Sequence, residues 1–332
     1  VEVKIGACAI CHSDISAIEG AWGGSLPAIY GHEAAGTVAA IGEGVSGLMV
    51  GDTVLVTLIK SCGHCVSCDR GHPSVCEAKH VADIPCLTTK DGASVTQGLN
   101  TAAFAERCVV DQSQVVKIPD SMRMDSASLL SCGVITGVGA ATNSAKIRPG
   151  ETVVVIGAGG VGLNAIQGAA ICGASRIIAI DLSQDKLDAA LEFGATHGIL
   201  ASSEKPHRQV KKLLGGRGAD YVLITVGVAP VYQSAPQFLA PGGTLVMVGM
   251  PPSGEKVTYE PVVVAALGQT MKGSFMGDTK LSRDIPYLIA LYQQGRLKLD
   301  ELVTRHYALE DINEAIADTL AGNARRNVIV FD

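Results

Sequence analysis

The stretch TVVVIGAGGVG, residues 152–162, sets a β-branched run against four glycines in six positions. A run of Thr, Val and Ile favours a strand. Gly157, Gly159 and Gly162 match G-x-G-x-x-G, with Gly160 and Val161 between the second and third. Placed after a strand and before a helix, such glycines allow a tight turn and close approach of the backbone to a pyrophosphate. The free N–H groups and dipole of the helix N-terminus then favour the anion. Asp181 ends the next apolar run, nineteen residues after Gly162. An acid there accepts from both ribose hydroxyls and repels a 2′-phosphate, which favours NAD over NADP, and Lys186 is placed near the same ribose. A plain glycine turn is the alternative, but strand, helix and acid in the right order favour a dinucleotide.

Outward from this stretch, RIIAI (176–180), HGIL (197–200), DYVLIT (220–225), TLVMV (244–248) and MKGSF (271–275) read as further strands. Helical patterns at 163–170, 184–193 and 231–239 separate them. The expected fold class is α/β, with a Rossmann doubly wound parallel sheet covered on both faces. Before Glu151 the chain is glycine-rich, short-stranded and cysteine-bearing, which points to a second, mainly β domain. The uncharged runs 126–145 and 152–175 raise the question of a membrane span. Six glycines with Asn164 and Gln167 make the second a strand, turn and buried helix instead.

At 332 residues and net charge -6 the chain suits two domains and lacks the basic balance that nucleic-acid binding needs. No basic segment followed by an apolar one opens the sequence at Val1, so the expected compartment is the cytoplasm. Ten cysteines then read as free thiols, metal ligands or catalytic groups. Four of them, Cys62, Cys65, Cys68 and Cys76, fall within CGHCVSCDRGHPSVC with spacing C-x2-C-x2-C-x7-C. The first three imitate a ferredoxin run, but the fourth stands too far on. Four thiolates on one short lobe suit a closed tetrahedral zinc with no position for substrate, and a cluster or redox role is the alternative. Cys11 in GACAICHSD, His32 in GHE and Cys132 in SCG would make a Cys2His set, the set of alcohol dehydrogenase zinc, with a fourth position open. Each alone has a plainer reading as a small buried thiol or a core histidine.

With CHSD, GHEAAGTV, VGDTV, the four-cysteine lobe, SCG, GAGGVG with Asp181, and the closing RNVIVF in order, the chain resembles the zinc-containing medium-chain alcohol dehydrogenases from Val1 to Phe331. The resemblance implies a GroES-like mainly β catalytic domain, formed by 1–133 and 277–332, around a dinucleotide domain at 134–276. It implies two zinc ions per chain, a catalytic one on Cys11, His32 and Cys132 with Glu33 beside it, and a structural one on the lobe. The implied reaction is reversible hydride transfer between a primary or secondary alcohol held on zinc and NAD. Ser13 corresponds to the family's proton-relay hydroxyl, with helix capping as its plainer role. His12 and Arg326 correspond to phosphate-contacting residues, with solvated charges as the alternative. Where many relatives carry an outer relay histidine, Ser16 stands here.

Trp22 stands where relatives acting on the glutathione adduct of formaldehyde use an acid, and His80 where they use Arg, which disfavours that reaction. Trp22 is expected to narrow the pocket and Leu58 to widen it, unless both are core residues. A polyol or thiol-adduct substrate is the alternative on the same scaffold. A non-enzymatic binding protein would be favoured if a catalytic ligand were absent, and none is. Relatives normally begin earlier, with a strand pair, so Val1 is expected to mark a truncation. The long stretch between Cys76 and Phe104 resembles that of dimeric members, so a homodimer is expected.

Overall fold

All five residues of Thr152–Ile156 are β-branched, and the last four are buried, as a strand covered on both faces requires. The computed structural model describes residues 1–78 and 87–332. Its contacts divide the chain into two units, Val1–Gly133 with Lys280–Asp332, and Val134–Thr279.

In the second unit Thr152–Ile156 lies inside a six-stranded sheet ordered His197–Leu200, Arg176–Asp181, Thr152–Ile156, Ala219–Ile224, Leu239–Met247 and Thr270–Gly273. Every neighbouring pair is parallel. Val154, Ile178, Val222 and Leu245 form one core with Tyr232 and Phe238 from the crossover Ala229–Phe238. Two expectations need correction. The strand expected at 244–248 begins earlier, at Leu239; Pro241 and Gly242 are exposed, and pairing resumes at Thr244 after a register shift. The helix expected over 231–239 is a short helix, Ala229–Ser234, followed by a 3-10 turn, because Pro236 lacks an N–H to continue the ladder. The helix opened by the glycine turn, Gly160–Ile171, approaches Ile135–Gly139 closely. A Cβ on Gly137 would stand 2.4 Å from Val161 O. Among the described residues Met124–Ala145 is the one helix long and apolar enough to cross a membrane, and 94% of its apolar window is buried, as in a core helix.

The first unit is built around Glu2–Ala9, whose alternating Val3, Ile5 and Ala7 are buried. It pairs antiparallel with Glu33–Ala40 along its length, with Arg107–Val109 at its start and with the C-terminal strand Arg326–Val330 at its end. The sheet continues through Thr53–Val56 to Val115–Lys117 on one side and through Val303–Tyr307 on the other. The last segment of the chain thus completes a sheet begun by the first. Side chains reinforce that join. Asp125 accepts from Arg123 Nε at 3.1 Å and lies 2.8 Å from His306 Nε2, and Ser126 Oγ donates to Asp300, which also accepts from Tyr292.

Burial alone would raise the Asp125 carboxyl, but Arg123, His306 and the Ser126 N–H outweigh it and hold the group below the usual carboxylate range. A depressed carboxyl stabilises the fold above its unfolded pKa of about 3.9, and that stability is lost as pH falls through the lower folded value. Asp125→Asn is therefore expected to lower unfolding free energy at pH 7 by about 1 kcal/mol, since its partners are half exposed. The gap to the parent should shrink below about pH 4 in urea titrations. A gap constant down to pH 2 would refute the assignment.

Candidate active site

Cys11 stands just past the end of Glu2–Ala9 and caps the helix His12–Ile18. Its Sγ accepts from Ser13 N at 3.4 Å, and its own N–H donates to Asp14 Oδ2 at 3.3 Å. The other carboxylate oxygen of Asp14 accepts from Gly31 N at 2.9 Å and lies 2.9 Å from His32 Nδ1. The helix cap therefore also orients the histidine, which immediately precedes the strand Glu33–Ala40. Nδ1 faces the carboxylate and keeps its proton there, so Nε2 is the nitrogen whose electron pair a metal would take. His32 is fully buried, and its Nε2 has no hydrogen-bond partner.

Cys132 comes from a π-helical turn, Leu130–Val134. The residue before it is tied twice: Ser131 Oγ donates to Ala34 O at 3.0 Å, and Thr57 Oγ1 donates to Ser131 O at 2.6 Å. One ligand atom each from Cys11, His32, Glu33 and Cys132 lies within 4.8 Å of the others. An unpartnered buried imidazole nitrogen beside two buried thiols is a nitrogen and sulfur donor set that fits zinc. The thiols are unequal: the bond from Cys132, outweighing burial and helped by His32, puts Cys11 below the usual thiol range. Cys132 is pushed up in turn, by that bond and by burial. Burial would lower His32, but Asp14 prevails and raises it. Zinc would take the positions of the protons on these groups, so its binding would release them.

Burial pushes Glu33 up to about 8 against the pull of Arg326. Arg326, expected at a phosphate with a solvated charge as the alternative, is no solvated charge: it is buried at 6% exposure, with Nη1 donating to Ile10 O at 3.2 Å and Nη2 3.2 Å from Glu33 Oε1. The ions face each other without hydrogen-bond alignment, so both Glu33 oxygens and Arg326 Nη2 lack a hydrogen-bond partner. A Cβ on Gly133 would strike Arg326 Nη2 at 1.8 Å, which explains the glycine of SCG.

The lobe forms a second cluster: one sulfur each from Cys62, Cys65, Cys68 and Cys76 lies within 4.8 Å of the others. Backbone N–H groups point inward, from Cys65 to Cys62 Sγ at 3.3 Å and from Cys68 and Glu77 to Cys65 Sγ at 3.4 Å. The Cys68 and Glu77 amides draw Cys65 down to about 6, while desolvation and its neighbours push Cys68 up to about 12. All four are free thiols, and four thiolates held by amides suit a closed tetrahedral zinc.

In the other unit Gly157 adopts φ +97°, Gly159 caps the helix, and Gly160 and Val161 open it. A Cβ on Gly162 would lie 1.9 Å from Gly157 O. Asp181 ends its strand and accepts from Ala158 N at 2.7 Å and Ser183 N at 3.1 Å. Lys186 is half-buried in the next helix, Gln184–Glu192. His12 is exposed; Ser13, Ser16, Trp22 and Leu58 are half-buried. His80 lies outside the described residues. Sequence reasoning missed Asp14, Ser131 and Thr57; the cue for Asp14 was a carboxylate inside CHSD, since a ligating histidine needs an acceptor for its other ring N–H.

Removing that acceptor should loosen the metal selectively. Asp14→Ala is expected to weaken zinc about 10- to 100-fold at the Cys11 cluster and leave the lobe's ion in place. Competitive chelator titration with elemental analysis reads this, and equal loss from both clusters would refute it.

Two family models match: "Alcohol dehydrogenase GroES-like domain" over residues 1–120 and "Zinc-binding dehydrogenase" over 160–294. The NDMA-dependent alcohol dehydrogenase of Amycolatopsis methanolica is 37% identical over 99% of this chain and 91% of its own length. A putative alcohol dehydrogenase D of Mycobacterium tuberculosis is 36% identical over 99% and 92%. Among solved structures, an alcohol dehydrogenase zinc-binding domain protein from Burkholderia ambifaria superposes with TM-score 0.94 at 33% identity, over all of this chain and 91% of that one. Benzyl alcohol dehydrogenase from Acinetobacter calcoaceticus gives 0.92 at 30%, over all of this chain and 92% of that one. With its GroES-like and doubly wound units carrying these two cysteine clusters and the glycine turn, the chain belongs to the zinc-containing medium-chain alcohol dehydrogenase family.

Proposed function

We propose that the protein is an NAD-dependent alcohol dehydrogenase that reversibly transfers hydride between a primary or secondary alcohol and the nicotinamide, giving aldehyde or ketone and NADH. The observation that carries it is the buried, unpartnered His32 Nε2 facing Cys11 and Cys132. Zinc bound there would supply a Lewis acid that makes an alcohol hydroxyl acidic near neutral pH and polarises a carbonyl in reverse. Asp14 keeps the imidazole proton on Nδ1, so Nε2 stays a ligand through the cycle. Thr57 and Ser131 hold the Cys132 segment in place. Ser13, next to the cluster and half-buried, is assigned the relay of the alcohol proton, with Ser16 or water as its outlet.

The glycine turn takes the pyrophosphate, and His12 is assigned a phosphate contact. Asp181 already accepts two backbone N–H groups, yet a carboxylate has about four acceptor sites, which leaves capacity for ribose hydroxyls. Its charge supports NAD over NADP. The lobe holds a second, structural zinc. Trp22 and Leu58 are assigned to the substrate pocket. A cytoplasmic homodimer with no nucleic-acid or membrane partner completes the proposal, and the net charge of -6 supports the first exclusion.

One relative's name specifies NDMA as acceptor and another names benzyl alcohol, so the assay offers NAD, NADP and NDMA with benzyl alcohol, short alcohols, polyols and the glutathione adduct of formaldehyde. NADH formation with alcohols, and about two zincs per chain falling to one in an inactive Cys132→Ala variant, is the expected result. Turnover confined to polyols or the adduct moves the substrate to that alternative. One zinc in both proteins with no turnover replaces the enzyme by a binding protein.

A further inference from the structure

One peptide plane in the glycine turn is held at both ends by side chains from neighbouring strands. The carbonyl of Gly157 lies 2.9 Å from Thr225 Oγ1, and the N–H of that same peptide, on Ala158, donates to Asp181 Oδ2 at 2.7 Å. Thr225 follows the strand Ala219–Ile224, and Asp181 ends the strand Arg176–Asp181; these strands flank Thr152–Ile156 on opposite sides. Thr225 Oγ1 is also 3.0 Å from Ile156 O, which accepts from Thr225 N as well. A hydroxyl has one proton, so the two carbonyls share it. The same oxygen would be 2.9 Å from a Cβ on Gly157 and 3.0 Å from one on Gly162, so it touches the first and last glycines of the motif.

We propose that Thr225 is a positioning residue for the dinucleotide: its hydroxyl, opposite Asp181, fixes the Gly157–Ala158 peptide so that the turn is shaped for a pyrophosphate before the cofactor arrives. The inference rests on the dinucleotide reading above. Glycine at φ +97° leaves the plane little intrinsic preference of its own. Without the hydroxyl the turn must be ordered during binding, and that cost appears as weaker affinity. Thr225 acts on the turn and on no reacting atom, so the chemical step at saturating cofactor is unaffected.

The test compares the full chain with its Thr225→Val, Thr225→Ala and Thr225→Ser variants by NADH fluorescence titration, steady-state kinetics and zinc content. Thr225→Val keeps shape and loses the hydroxyl; it should weaken NADH and raise KM for NAD about three- to tenfold, the loss of one net hydrogen bond, with kcat not reduced and zinc unchanged. Thr225→Ala should repeat the loss even if Thr225→Val packs poorly, and Thr225→Ser should stay within about twofold of the parent. Parent-like NADH affinity in both hydroxyl-less variants overturns the inference. So does a joint fall in kcat and affinity that Thr225→Ser does not restore, because that marks a merely structural role. A parent protein that binds no NADH overturns the dinucleotide reading and this inference with it, and it shows before any variant is made.

Discussion

The contact between Asp14 and His32 Nδ1 is the interaction on which the catalytic cluster depends. An imidazole buried to zero exposure needs a partner for its N–H, and a carboxylate buried beside it needs donors for its oxygens. Each meets the other's need, and the N–H groups of Cys11 and Gly31 complete the carboxylate's shell. The consequence is directional. With Nδ1 committed, Nε2 is the nitrogen left beside the two thiols, and it has no hydrogen-bond partner, a buried polar cost that a bound metal would remove. Helix start, strand start and metal ligand are therefore one device spread over Cys11–Glu33.

The Glu33–Arg326 pair shows the same logic with less hydrogen bonding. Two ionisable groups this deeply buried are costly unless each offsets the other's charge, and truncating one strands the other. Glu33 sits on the strand beside Glu2–Ala9 and Arg326 on the C-terminal strand across it. Their juxtaposition exists only because the end of the chain returns to the sheet that its beginning starts. The Asp125 network secures the same return from the other end of the segment. Continuity of the sheet and charge balance of the cluster are thus coupled.

Much of this was legible from local pattern. β-branched runs and a glycine motif specify strand, turn and helix over 152–171 because each residue's conformational preference agrees with the fold. The cysteine spacings likewise contain their chemistry, since ligand type and number are written in the residues themselves. What stayed illegible was long-range or ambiguous in kind. Thr57 and Ser131 are common polar residues, and nothing local reveals that they bond across 74 positions. The sequence offers a phosphate or solvent as partners for Arg326, and only tertiary placement reveals its burial against Glu33. The strand from Leu239 escaped notice because Pro241 and Gly242 look like a terminator, whereas the register shift lets the strand pass through them.

The three sites differ in how much of their geometry the protein supplies unaided. The lobe's thiols converge with amides aimed at sulfur, so its donors are complete and a closed tetrahedral shell leaves no position for substrate. The catalytic cluster has two thiols and one imidazole as its primary donors, with Glu33 drawn toward Arg326 and raised to about 8, which weakens it as a permanent anionic ligand. Such a donor set suits a metal with one exchangeable position. At the glycine turn the protein supplies a peptide plane held by Thr225 and Asp181 and the absence of Cβ atoms at Gly157 and Gly162. Closed donors suit a staple, an incomplete set suits a reactive centre, and shaped backbone suits a reversible cradle. The same chain obtains all three by varying how many of a site's bonds it satisfies itself.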